Sequence, residues 1–139
     1  MQPTPYIFFN GNCAEAIATY CDILGARVLM QMPASEMPPD TMPIADHQKN
    51  WVLHATLEIG QGQLLLSDNF EGPETAMAGA SVMLSYDTAQ EAAVIFEKLA
   101  DGGQVTMPFQ GTFWSAGFGS CIDRFGINWM IGTDAPPEG

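Results

Sequence analysis

One pattern of elements occurs twice along this chain of 139 residues, and that duplication restricts its folds more than any other feature. Near the start, Tyr6 to Phe9 reads as an apolar strand, followed by the turn Asn10-Gly11. A helix then begins with Asn12 as N-cap and Glu15 three residues on, the spacing of a capping box. Cys13, Ile17, Tyr20, Cys21 and Leu24 share one helical face, Gly25 ends the helix, and Arg27 to Met32 forms the next strand. The second half repeats the order. Ala80 to Tyr86 is the strand, Thr88 with Glu91 the cap, and Ala92, Ile95, Phe96 and Leu99 the apolar face. Gly102-Gly103 stops the helix and Gln104 to Met107 opens the following strand. The two caps lie 76 positions apart, and Val28 and Val105 lie 77 apart. Each half closes with two strands around a turn: Trp51 to Ile59 with Gln63 to Ser67, and Phe113 to Ile122 with Ile127 to Ile131. The expected fold class is α+β, built as two βαβββ modules. Module 1 spans about 4–68 and module 2 about 80–132, with a tail at 133–139, all within one domain.

The halves differ in one place. Loop 33–50 is rich in Pro and Met and has neither helical nor alternating period. A loop of this length in a compact domain is a lid, a binding loop or a disordered segment.

Charge and composition exclude several classes of function. Sixteen acids stand against four bases, for a net charge of −12, and the cations Arg27, Lys49, Lys98 and Arg124 are scattered. No basic stripe exists to neutralise phosphates, so nucleic acid is not an expected partner, and an anionic membrane surface is disfavoured by the same sign. No apolar run approaches the roughly 18 residues that span a bilayer. No charged n-region with an apolar h-region opens the chain, so a cytoplasmic protein is expected. Cys13, Cys21 and Cys121 are odd in number and form no C-x-x-C pair, which suits small buried hydrophobes in a reducing compartment.

Among polar residues His54 stands out. In WVLHATLEI, the residues Trp51, Leu53, Ala55, Leu57 and Ile59 alternate onto one face, while Val52, His54, Thr56 and Glu58 share the other. An imidazole there acts as general base or ligand, or is a structural group held by a hydrogen bond. Glu36, carried by the long loop, is a candidate partner for His54. His47 lies in a polar stretch and reads as solvated, Asp68 as a turn former, and Trp129 as core against the second helix. Trp114, with Phe118 beyond it, lines a cavity mouth or packs inward.

Several segments together resemble one known group. PYIFFNGNCAEAIATYCDILGA, the EMP of the long loop, HATLEI with LLLSDN, and FWSAGFGSCIDRFGINWMI follow in order over more than half the chain. In this they are similar to PhnB-like proteins of the vicinal oxygen chelate superfamily, the glyoxalase, bleomycin-resistance and dioxygenase group. The resemblance implies a curled mixed sheet around a cavity, with helices outside. It also implies a divalent metal held by one His or Glu from the first and last strand of each module. Aligned through the helix starts, those four positions fall on Pro5, Leu66, Ser81 and Met130, which cannot assemble an imidazole–carboxylate shell. No metal and no cofactor are therefore expected. If those positions face inward, alternation brings Ile7, Phe9, Met83, Ser85 and Asn128 with them. The result is an apolar pocket carrying a few hydroxyl and amide groups, or a filled core.

These readings lead to a small-molecule-binding protein without the standard metal site, lined by Ile7, Phe9, Thr56, Leu66, Ser81, Met83, Ser85, Trp114, Asn128 and Met130. The acidity favours a cationic ligand by steering. The alternative is a glyoxalase- or dioxygenase-like lyase or transferase. In it His54 and Glu36 act as catalytic groups, or join His47 in a non-standard metal site. Proteins of the group are also described as methyltransferases. This chain lacks the glycine-rich strand-to-helix turn such a site needs, so that activity is not expected. Exposed edge strands suit a homodimer.

Overall fold

A computed structural model describes residues 1–138. Strand β1 covers Tyr6–Phe9, helix α1 Cys13–Leu24, β2 Arg27–Pro33, β3 Val52–Ile59 and β4 Gly62–Asp68. The pattern then repeats as β5 Val82–Tyr86, α2 Ala89–Ala100, β6 Gln104–Gln110, β7 Phe118–Ile122 and β8 Asn128–Thr133. The chain divides into two compact units, Met1–Thr75 and Ala76–Gly139. Each holds a four-stranded mixed sheet, ordered β1-β4-β3-β2 in the first and β5-β8-β7-β6 in the second. The first strand of each pairs parallel with the last, and the other neighbours are antiparallel. This is the α+β, twice-βαβββ architecture that the repeat implies. The two sheets are not hydrogen-bonded into one. Among the described residues no helix is long and apolar enough to cross a membrane.

Each sheet buries one face under its own helix. In the first unit Phe9 lies against Tyr20 of α1 with ring centroids 6.5 Å apart. Ile7, Phe9, Ala55, Leu57 and Leu66 are buried together with Ala16, Ile17 and Tyr20. In the second, Cys121, Trp129 and Ile131 are buried with Ala92, Phe96 and Leu99 of α2.

The helix starts differ in chemistry although the sequence pattern is shared. Thr88 caps α2 as expected, its hydroxyl accepting from Glu91 N–H at 3.1 Å. Asn12 does not cap α1; its side chain accepts from Asn10 N–H instead. Asp68, at the end of β4, takes over that role. Its carboxylate, buried to 2 % exposure, accepts from Gly11 N–H at 2.8 Å, Cys13 N–H at 3.0 Å and Val52 N–H at 2.9 Å. Asp68 is thus a three-way clamp between the β1–α1 turn and the start of β3, rather than a turn former. A buried carboxylate is tolerable only with such partners. Asp123 plays a related part in the β7–β8 turn, accepting from Phe125 and Ile127 N–H and from the Trp129 indole N–H at 2.8 Å.

Two segments depart from their expected structure. The strand expected from Phe113 begins at Phe118, because residues 111–117 fold on themselves: Ser115 Oγ accepts from Gly117 N–H and lies 2.6 Å from the Thr133 carbonyl oxygen. Loop 33–50 holds two short 3-10 turns, Ala34–Glu36 and Asp46–Gln48. Ala34 N–H donates to Trp51 O and Ser35 N–H to Lys49 O, both at 2.9 Å, so the two ends of the loop are tied together.

Cys13 and Cys121 are buried and Cys21 is half-buried. Burial pushes the Cys13 thiol well above the ordinary range, with Asp68 adding to it. Burial and then Asp123 push Cys121 up to about 11.

Two expectations follow. Asp68→Ala leaves three N–H groups without their acceptor, each orphan costing about 1–3 kcal/mol, so its urea midpoint should fall well below that of Asp68→Asn, and both below wild type. An unchanged midpoint would show that the clamp carries no weight. For the thiols, the folded values lie above the unfolded value of 9.0, so folding favours the protonated form. The contribution of Cys121 is full below about pH 9 and is lost as pH rises through about 11, and that of Cys13 persists to higher pH. Alkaline denaturation should therefore set in from about pH 9, later in Cys121→Ala than in wild type. A thiol reagent on native protein should modify Cys21 first.

Candidate functional site

With α1 covering one face of the first sheet, the other face is left open, and cross-strand pairing fixes what stands on it. Tyr6 lies opposite Leu65, Leu65 opposite Thr56, and Thr56 opposite Met30, one residue per strand in a single row. Alongside it, Phe8 pairs with Ser67 and His54 with Met32. The Tyr6 and Phe8 rings stack with centroids 5.0 Å apart. The Tyr6 hydroxyl lies 2.9 Å from Nδ1 of His54. Burial raises the Tyr6 hydroxyl above its ordinary value, an effect that the Ser67 side chain partly offsets. Tyr6 keeps its proton at neutral pH, and which of the two groups donates in this bond is set by the tautomer of the ring. At the margin of this face Arg27 and Glu58, themselves a cross-strand pair, form an ion pair at 2.8 Å.

The structure changes the membership of this face. Thr56 stands on it with His54, as expected. Ile7, Phe9 and Leu66 do not: they are buried in the core beneath α1, and Val52, expected beside His54, is buried too. For β1 the cause is a single residue, while Val52 lies beyond the register irregularity between Met32 and Pro33. Three residues, 10–12, join β1 to α1, whereas two, 87–88, join β5 to α2. Alignment through the helix starts therefore slips β1 by one position, and a slip of one exchanges the two faces of a strand. Tyr6, Phe8 and Leu65 take the places assigned to Ile7, Phe9 and Leu66. Tyr6 is the residue that sequence reasoning missed. Its signal lay in the extra residue at Gly11, which has φ of +91°.

Glu36 and His54 are not brought together as a pair. Glu36 is exposed on its 3-10 turn, and the polar partner of His54 is Tyr6. His47 packs edge-on against Trp51, ring centroids 5.4 Å apart.

The second sheet presents a row of the same kind: Met83 opposite Met130, Met130 opposite Ser120, and Ser120 opposite Met107. Thr106 and Ser120 share a hydroxyl–hydroxyl hydrogen bond of 2.7 Å. Met83, Ser85 and Met130 thus lie on the open face as expected, and Ser81 is exposed just before β5. The Asn128 amide is committed to the chain before β5, donating to Ala80 O at 2.9 Å and Met77 O at 3.3 Å. Trp114 stands in the loop before β7, half-exposed, with its ring against Phe113 and Phe118.

Metal ligands drawn from the first and last strand of a module would be Tyr6 with Leu65 in the first unit and Met83 with Met130 in the second, the pairs on the open faces. Neither a phenol beside an aliphatic side chain nor a pair of thioethers suits a hard divalent cation, which takes oxygen and imidazole ligands. Among the described residues no three His, Cys, Asp or Glu side chains are grouped to hold one.

The profile of the Glyoxalase/Bleomycin resistance protein/Dioxygenase superfamily matches residues 4–131. The chain belongs to that superfamily. It is 33% identical over 138 residues to protein YjdN of Escherichia coli K12, covering 94% of each chain. The crystal structure of protein PA1353 from Pseudomonas aeruginosa shares 40% identity and a TM-score of 0.87, with 97% of this chain and 98% of that one covered. A PhnB protein from Bacillus cereus, 21% identical, has the same fold with a TM-score of 0.79 over 96% and 99% of the two chains. Within this superfamily the chain keeps the duplicated βαβββ scaffold and carries an aromatic–imidazole pair on one open face.

Truncation on the two faces should separate them. Leu66→Ala and Phe9→Ala empty core volume and should cost about 2–5 kcal/mol, whereas Leu65→Ala and Phe8→Ala should cost about 1 kcal/mol or less. Equal losses in urea denaturation for Leu65→Ala and Leu66→Ala would contradict the face assignment.

Proposed function

We propose that this protein binds a small aromatic molecule on the open face around Tyr6 and His54, without a metal. One observation carries the reading: the hydrogen-bonded Tyr6–His54 pair stands among Phe8, Met30, Met32 and Leu65. An apolar surface with one converging polar pair is the usual make-up of a small-molecule site. Stacked rings hold a planar ligand, thioethers adapt to its outline, and Nε2 of His54, the ring nitrogen outside the bond to Tyr6, meets a polar atom on it. The methionines and hydroxyls of the second sheet, with Ser81 and Ser85, offer a further apolar face of the same type. A net charge of −12 favours ligands bearing positive charge during approach. The two units act together as one domain, and the exposed edges of the sheets suit a homodimer, which sedimentation would reveal as twice the chain mass.

The catalytic alternative uses the same pair, with His54 moving a proton on a bound carbonyl compound and Tyr6, in place of Glu36, fixing its tautomer. The hydrogen bond between them favours that variant over one built on Glu36.

Displacement of an environment-sensitive aromatic dye tests the binding reading. His54→Ala and Tyr6→Phe should each weaken dye binding about tenfold, the equivalent of about 1.4 kcal/mol. A cationic dye should bind more tightly than an anionic one, and the gap should shrink with salt. Unchanged affinity in His54→Ala would reject the site. If a substrate is found, loss of turnover with retained binding in His54→Ala would favour the catalytic alternative.

A further inference from the structure

Away from the open face, the first unit contains a cavity of about 330 Å³, lined among others by Asn10, His47, Trp51, Asn69, Pro73 and Glu74. It lies at the carboxyl ends of the parallel strands β1 and β4, the end of a parallel pair where ligands gather in open sheets. Its rim is fastened. The Asn10 amide donates to Thr75 O at 2.9 Å and accepts from Thr75 N–H at 2.8 Å. The Asn69 amide donates to Pro73 O at 3.1 Å and accepts from Glu71 N–H, and its own N–H donates to Phe9 O at 2.7 Å. These bonds pin segment 69–75 over the strand ends. Trp51 is held in turn, with Phe70 at 5.6 Å and His47 edge-on at 5.4 Å between ring centroids. Gly11 permits the close approach: a Cβ there would meet the indole at 2.8 Å.

We infer that this cavity is a second binding site, for a compact organic ammonium ion. An indole face attracts a cation through its quadrupole, and a desolvated quaternary ammonium gains most from it. Glu74 supplies the opposite charge, and no Lys or Arg lines the cavity. The volume accommodates a compact ammonium head group. None of these residues belongs to the Tyr6–His54 face.

Calorimetric titration of the full chain with choline at mildly alkaline pH tests this, together with a nuclear magnetic resonance readout of the Trp51 indole N–H. Saturable binding that shifts the Trp51 signal is expected, weakened about tenfold by Glu74→Gln and less by Trp51→Phe, which keeps a ring. His54→Ala should bind choline as wild type does, which separates this site from the open face. The uncharged carbon analogue of choline should bind at least tenfold more weakly. Equal affinity for that analogue, or unchanged choline affinity in Glu74→Gln, would overturn the assignment. Sedimentation with phosphatidylcholine vesicles in place of binding free choline would overturn it in favour of a lipid head group.

Discussion

Asp68 ends β4 beneath the core surface, and its two carboxylate oxygens are shared by Gly11, Cys13 and Val52. Two stretches of the chain far apart in sequence meet there: the turn into α1 with the helix's first residue, and the first residue of β3. Removing a charge from water is costly, and it is recovered only if the N–H donors arrive together. The clamp therefore fixes where β3 begins relative to β1, and that register sets Tyr6 opposite Leu65 and within hydrogen-bond distance of His54. The helix start needs no side-chain cap of its own because the same carboxylate supplies one.

Most of the scaffold is legible in the sequence for one reason: the two halves were read against each other. The caps and glycine stops of α1 and α2 agree at a spacing of 76 or 77, each half then closes with a hairpin, and the structure places both helices and all eight strands in that order. Trp129 falls in the core beneath α2 as its alternation implies. What the comparison of halves could not carry was the face of β1, because its turn into the helix is one residue longer than that of β5. Helix periodicity says nothing of such an insertion. A strand turns over completely when it slips by one, so that one residue exchanges Ile7 and Phe9 with Tyr6 and Phe8 between the core and the open face. In β5 and β8, where the alignment held, Met83, Ser85 and Met130 stand where alternation puts them. Partnerships such as Tyr6 with His54, separated by 48 positions, leave no local trace at all.

The superfamily scaffold can present metal ligands on adjacent strands. Here the same adjacency presents a phenol beside an aliphatic side chain and one thioether beside another. In the proposed site, stacking, dispersion and a single directed hydrogen bond stand where coordination would be. The acids are numerous, yet the open face of the first sheet holds one carboxylate, Glu58, already paired with Arg27.

The most direct test of this account is the methyl spectrum of the methionines, recorded while an aromatic dye is added to the intact protein. Nine methionines report on separate places: Met30 and Met32 on the face of His54, Met37 and Met42 in the long loop. The account predicts saturable shifts at Met30 and Met32, with Met37 and Met42 unmoved. Shifts confined to the loop methionines, or none at saturating dye, would contradict it.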